Sequence, residues 1–212
     1  MIKSIEQVAT SLVKWLMLFC LLTVVPLVSC EEDDDDESSE EFENWQQRND
    51  EMIAQWAADA SLQKIKNYTL NEKATAGNGD CIYVKVLESG TSESITPFLT
   101  DTVRIAYRGR LIPSKTYPEG VVFAQSYYND FSWRKSYATS GSGWIDGIGW
   151  IDGIQTALLR MHVGDRWLVH VPYQLGYGSS TSNTSIPAYS NLIFDVALYD
   201  VWHPGETRPP FK

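Results

Sequence analysis

Trp150-Ile151-Asp152-Gly153-Ile154-Gln155-Thr156-Ala157-Leu158-Leu159-Arg160-Met161 decides the fold. Bulky apolar residues surround a Gly, and the period then turns helical. Ile154, Ala157, Leu158 and Met161 recur at the i, i+3, i+4, i+7 spacing of a helix with one buried face. Val163-Gly164-Asp165 is the stop, with Gly164 a candidate left-handed cap. Two strand-like runs follow, Arg166 to Pro172 and Leu192 to Val201. Upstream, Cys81 to Leu87, Asp101 to Leu111 and Val121 to Ser126 are also rich in β-formers. In the second of these, Val103, Ile105 and Tyr107 alternate onto one face. Strands with one helix, not alternating with many, predict an α+β fold with a mostly antiparallel sheet.

The segments between these runs read as loops: Gly90 to Pro97, Pro113 to Gly120, an aromatic stretch from Tyr127 to Gly143, and Pro172 to Pro187, dense in Gly, Ser, Thr and Asn. Trp144-Ile145-Asp146-Gly147-Ile148 is copied at once by Trp150-Ile151-Asp152-Gly153-Ile154. A repeat this short is no solenoid. It reads as a duplication that lengthens the loop before the helix, and distance to Leu158 and Met161 puts the second copy at the helix start.

The N-terminal end has a different character. Lys3 and Lys14 precede an apolar run, Trp15 to Val28, interrupted by Thr23 and Pro26. A membrane span needs ~20 apolar residues; a charged start, an apolar middle and small residues at the end describe a secretory signal instead. Leu27-Val28-Ser29-Cys30 resembles a bacterial lipobox, so residues 1–29 are expected to be cleaved and Cys30 to be lipidated; the alternative is an uncleaved anchor helix. Residues 30–41, through Glu31-Glu32-Asp33-Asp34-Asp35-Asp36-Glu37, repel themselves and read as a solvated tether. The same run resembles the surface-export signal of Bacteroidota lipoproteins. The expectation is a lipid-anchored chain on a bacterial outer membrane, with the cell surface and the periplasmic face both open.

Residues 42–75 are expected to form a helical stalk. No Gly or Pro falls between Phe42 and Leu70, and Trp45, Met52, Trp56, Ala60 and Ile65 make a stripe at roughly helical spacing. That stripe either packs on its own domain or pairs weakly with a second copy, since it is too short and irregular for a coiled coil. A linker through Gly77-Asn78-Gly79-Asp80 leads to a domain over 80–203, and the Pro-rich residues 204–212 read as an extended tail.

The chain has 212 residues and carries 17 Lys+Arg against 27 Asp+Glu, a net charge of −10. That disfavours nucleic-acid binding, which needs a basic footprint. Cys20, Cys30 and Cys81 give no disulfide framework, and Cys81 reads as a small buried hydrophobe. His162, His170 and His203 lack ligand spacing, so no metal is expected. No Gly-x-Ser-x-Gly elbow appears. Asn67-Tyr68-Thr69 and Asn183-Thr184-Ser185 have glycosylation spacing, which carries little weight in a bacterial lipoprotein.

Four blocks then stand in the order of FKBP-type peptidyl-prolyl isomerases. They are Val103 to Leu111, Gly120 to Ser126, Trp150 through Met161 to Trp167, and Tyr173-Gln174-Leu175-Gly176-Tyr177-Gly178 with Ile186-Pro187 and Leu192 to Leu198. Together they resemble that family over about residues 101–201. The resemblance implies a twisted antiparallel sheet wrapped around one short helix, no cofactor, and proline-containing polypeptides as partners. It implies an aromatic cup of Tyr107, Phe123, Ile151, Ile154, Tyr177 and Phe194, with Trp150 and Ile186 on the rim and Ile154 as the floor. It assigns the Ile151 N–H and the Tyr177 hydroxyl as donors to peptide carbonyls. A further wall from the 131–137 loop is expected, from Phe131 or Trp133. Two departures stand out. Family members usually carry Asp after the strand Phe, where this chain has Ala124, and the usual floor Trp is Ile154. Two readings stay open: a prolyl isomerase acting on exported proteins, and a weakened peptide-holding module of the same fold. A third is an envelope adaptor that uses the stalk.

Overall fold

The computed structural model describes residues 41–91, 93–135, 144–146, 150–180 and 185–207. The expected signal peptide, Cys30, the acidic run to residue 40 and the end of the tail lie outside them. Residues 40–212 form one compact unit. The described elements run in the order α1 (Trp45–Ala58), β1 (Gln63–Lys66), β2 (Cys81–Glu88), β3 (Thr102–Leu111), β4 (Val122–Gln125), β5 (Trp144–Asp146), α2 (Asp152–Leu158), β6 (Arg166–Val171) and β7 (Leu192–Trp202). All strands join one antiparallel sheet in the order β1-β2-β6-β7-β3-β4, with β5 paired to the start of β3. No described helix is long and apolar enough to cross a membrane.

The helix α2 lies against β1, β2 and β6. Ile154, Ala157, Leu158 and Met161 are all buried, as their spacing predicts. Gly164 takes φ 97°, the left-handed backbone expected at the stop. The expected strands appear with no end moved by more than one residue. Cys81 is buried with a free thiol, and burial pushes its pKa up. The main core gathers Ile82, Val84, Ile105, Ile154, Met161, Val169, Val196 and Leu198 between α2 and the sheet.

The other face of the sheet has its own cluster. Ala106 and Ala197 pair directly across β3 and β7, and Tyr127, Phe131, Trp133 and Tyr199 pack over them. Two alanines side by side leave the room that four aromatic rings fill. Asp195 binds Arg166 through both oxygens, at 3.0 and 2.7 Å, and accepts the Tyr127 hydroxyl at 3.1 Å.

The helical stalk over 42–75 is not what the chain builds. The helix stops at Ala58, where the Asp59 carboxylate accepts the Ser61 N–H at 2.8 Å; that local bond competes with another helical turn. Gln63–Lys66 then pairs with Cys81–Val84 as an edge strand. Trp45 and Trp56 are buried in the main core, and Met52 and Ile65 pack against it, so the stripe packs on the chain's own domain. The domain therefore begins well before residue 80. The first tandem copy also departs from expectation: Trp144–Asp146 pairs with Thr102–Arg104 as a strand rather than a loop. The tail does not start extended either. It turns at Pro204-Gly205, with the Glu206 N–H donating to the His203 carbonyl at 3.1 Å.

Candidate active site

Neighbouring strands bring the ring residues together. Tyr107 on β3 lies opposite Val196 on β7, and two residues on, Gly109 lies opposite Phe194. Gly109 also faces Ala124 on β4. Cross-strand partners share a face, so Tyr107, Phe194 and Ala124 share one. Ser126, just past β4, locks Tyr107: its Oγ accepts the Tyr107 N–H at 2.9 Å, and its own N–H donates to the Tyr107 carbonyl at 2.9 Å. The sequence held no signal for this role beyond a polar residue at a strand end.

The rings form one packed set. Trp150, two residues before α2, meets Tyr107 edge on, with centroids 5.0 Å apart at 85°. Its indole lies 5.7 Å from Phe194 at 52°. Phe123 meets Phe194 at 5.5 Å and 84°. Such offset contacts are each worth ~0.5–1.5 kcal/mol beyond area burial. Ile151 is extended just before the helix, with φ −63° and ψ 146°, and its carbonyl accepts the N–H groups of Ile154 and Gln155.

Exposure grades the set from back to front. Ile154 has no exposed surface and Phe194 only 3%. Tyr107, Phe123, Ala124, Trp150 and Ile151 are half-buried. Tyr177 is outermost, 38% exposed. Burial pushes the pKa of both Tyr107 and Tyr177 up, and the Tyr177 phenol adds to the rise at Tyr107. Both hydroxyls therefore stay protonated donors at neutral pH. The set is an apolar cluster of rings with two phenols and no acid–base pair.

Three expectations need correction. Trp150 is not a rim residue, because its indole stands between Tyr107 and Phe194. Ile186, also expected on the rim, is 1% exposed and belongs to the core. Phe131 and Trp133 do not complete the cup. They pack on Tyr127 and Tyr199 across the sheet, where the Phe131 ring carries the Arg166 guanidinium at 4.0 Å and Trp133 Nε1 donates to Glu88 at 2.7 Å.

The histidines stay apart. His162 faces Asp165, His170 faces the Tyr83 carbonyl, and His203 faces Asp101. Among the described residues no group of three His, Cys, Asp or Glu could hold a metal ion.

Comparison with known proteins bears on this geometry. Residues 93–199 match the family model of FKBP-type peptidyl-prolyl cis-trans isomerases. The chain is similar to the FKBP-type 22 kDa peptidyl-prolyl cis-trans isomerase of Escherichia coli, 31% identical over 119 residues, covering 55% of this chain and 48% of that protein. It is also similar to the peptidyl-prolyl cis-trans isomerase Mip of Coxiella burnetii, 35% identical over 127 residues, 60% of this chain and 46% of that one. The chain thus spans about half the length of these relatives. In fold it is similar to the crystal structure of a peptidyl-prolyl cis-trans isomerase from Pseudomonas syringae, with TM-score 0.54, 22% identity, and coverage of 76% of this chain and 95% of that one. With the family match over half its length, this chain belongs to the FKBP-type peptidyl-prolyl cis-trans isomerases.

Proposed function

We propose that this chain catalyses cis–trans rotation of X–Pro bonds in the cup of Tyr107, Phe123, Trp150, Ile154, Tyr177 and Phe194. The planar amide rotates over a barrier of ~18–20 kcal/mol, and uncatalysed X–Pro exchange takes tens of seconds or more. The twisted transition state loses its resonance and becomes less dipolar. An apolar surface therefore favours it over the planar ground state, and that difference is catalysis. No proton transfer or nucleophile is needed. The observation that carries the reading is the Tyr107–Trp150–Phe194 ring set with two protonated phenols nearby. In this reading the Tyr177 hydroxyl and the Ile151 N–H donate to peptide carbonyls, and Ile154 backs the proline ring.

The test is cis-to-trans conversion of a short X–Pro peptide by the purified full-length chain. Acceleration over the spontaneous rate that falls in Phe194→Ala and Tyr177→Phe supports the reading. A rate equal to the uncatalysed one overturns it. Ala124 favours a second reading, since it leaves a site on the cup face without a carboxylate. A chain that binds proline peptides and leaves the rate unchanged is that peptide-holding module.

The clients we propose are exported polypeptides, met from a lipid anchor at Cys30 on the bacterial outer membrane. The lipobox-like Leu27-Val28-Ser29-Cys30 and the acidic run after it support this. Labelled palmitate incorporated by the wild type and lost in Cys30→Ala is the expected result; equal labelling of the two overturns the anchor.

A further inference from the structure

Residues 41–80 precede the segment that matches the family, yet α1 reaches the loop that carries Tyr177 and Ile186. The link is a run of buried hydrogen bonds. Asn49 on α1 has no exposed surface, and neither has Asn191 at the end of that loop. The Asn191 N–H donates to Asn49 Oδ1 at 2.7 Å, and Asn191 Nδ2 donates to the Asn49 carbonyl at 2.7 Å. Asn49 Nδ2 donates to the Trp45 carbonyl at 2.7 Å. Asn191 Oδ1 then accepts the Tyr173 N–H at 2.9 Å, at the loop's other end. One helical turn before Asn49, Trp45 Nε1 donates to Ser190 Oγ at 2.9 Å, and Ser190 Oγ donates to the Pro187 carbonyl at 2.6 Å. Within the loop, Gly178 N–H donates to the Tyr173 carbonyl at 2.8 Å and Tyr189 N–H to the Gly178 carbonyl at 2.9 Å. Both ends of the loop are thus tied to α1 and to each other.

The backbone carries a second mark. Tyr189 has φ 60°, in the left-handed region. A bulky residue is held there only where its surroundings over-determine the conformation. Its next two neighbours, Ser190 and Asn191, are the ones α1 grips, and its ring meets Tyr173 edge on at 5.4 Å. A loop of such polar, Gly-rich sequence would otherwise sample many conformations.

On the isomerase reading above, we infer that Asn49 and Trp45 are positioning residues for the site: α1 clamps residues 173–180 and 185–191 and so holds Tyr177 at the cup. Both bonds of the pair run from Asn191 to Asn49 and are buried, so losing the Asn49 side chain strands the Asn191 N–H. A loop free to move must be ordered again each time a peptide binds to Tyr177, so such slack weakens binding.

The test uses the full chain with Trp45→Phe, which keeps a ring and removes the donor, and Asn49→Ala. Ile82→Val, in the β2 core away from the loop, is the control for lost packing alone. In the clamp variants the amides of Tyr173, Gly178 and Tyr189 are expected to exchange about tenfold faster. KM for an X–Pro peptide is expected to rise about tenfold with kcat held within about twofold, the pattern of lost uniform binding. The control should leave both unchanged. Unchanged loop exchange, or faster exchange with unaltered KM, overturns the clamp. If Asn49→Ala does not fold, Trp45→Phe decides alone. A wild-type chain without turnover defeats the isomerase reading only. Peptide binding then judges the clamp: weaker binding in Trp45→Phe supports it and equal binding overturns it.

Discussion

Phe123 and Phe194 meet edge to face over Gly109. A Cβ added there would lie 2.7 Å from Phe123 Cζ and 2.7 Å from Phe194 Cε1. Ordinary contact between carbons is ~3.5–4.0 Å, so the two rings can touch only because residue 109 has no side chain. Gly109 also faces Ala124 on one side and Phe194 on the other. Strands β3, β4 and β7 therefore meet the cup at one backbone position.

Gly109→Ala should splay these rings. Overpacking of this kind costs ~1–3 kcal/mol, which urea unfolding measures. Prolyl turnover should fall with it, because Phe194 is the back wall. A variant as stable and active as the wild type would show that the ring contact is incidental.

Ala124→Asp should raise turnover. The register puts position 124 on the Tyr107 face, and both nearby phenols are protonated donors. One hydrogen bond to a charged group is worth ~1.5 kcal/mol net, or about tenfold in rate. The comparison is kcat/KM on one X–Pro peptide, variant against wild type. Equal values would mean that the missing carboxylate does not limit this chain.

The helix and five of the strands were legible because their apolar periods are clean. The edge strand was not, since Gln63-Lys64-Ile65-Lys66 is built from good helix formers and its strand state comes from pairing with β2. Trp144–Asp146 looked like spare loop for a related reason: only its partner, Thr102–Arg104, makes it a strand. Phe131 and Trp133 sit in a stretch with no period, so nothing local told which face of the sheet they would cover. The small pair Ala106 and Ala197 was the available hint. The ring residues of the cup were found through family resemblance, because their convergence depends on pairing β3 with β7 across a long sequence separation. The clamp from α1 escaped notice because Asn49 reads as one more polar residue on a helix.

Trp56→Ala should destabilise the whole domain, by ~3–5 kcal/mol for a buried aromatic. Trp56 is 7% exposed, with its ring 4.9 Å from His170 and 6.3 Å from Tyr83. A detached stalk would instead tolerate the change. Urea unfolding followed through the sheet, by far-UV circular dichroism, separates the two. A loss under about 1 kcal/mol, the range of surface substitutions, would mean that α1 is not part of the fold.

The same indole makes His170 an acid-sensitive point. His170 is 9% exposed, and its Nδ1 lies 3.0 Å from the Tyr83 carbonyl. A carbonyl only accepts, so Nδ1 carries the proton. Burial holds the His170 pKa below its ordinary 6.5, against a smaller upward pull from that hydrogen bond and from Asp59. The unfolded chain therefore binds the extra proton first, and stability falls as pH drops from about 6.5 toward the lower folded value. His203 works in the opposite sense. Its hydrogen bond to Asp101 raises its pKa, so its contribution is complete below about 6.5 and lost as pH climbs through the raised value. His170→Asn keeps a donor for the Tyr83 carbonyl and removes the titration. Urea midpoints for this variant should be flatter than the wild type between about pH 6.5 and 5, a range above the ordinary carboxylate pKa values. His203→Asn should flatten only the alkaline side. An acid limb that survives unchanged in His170→Asn would assign that sensitivity to other groups and leave His170 a packing residue alone.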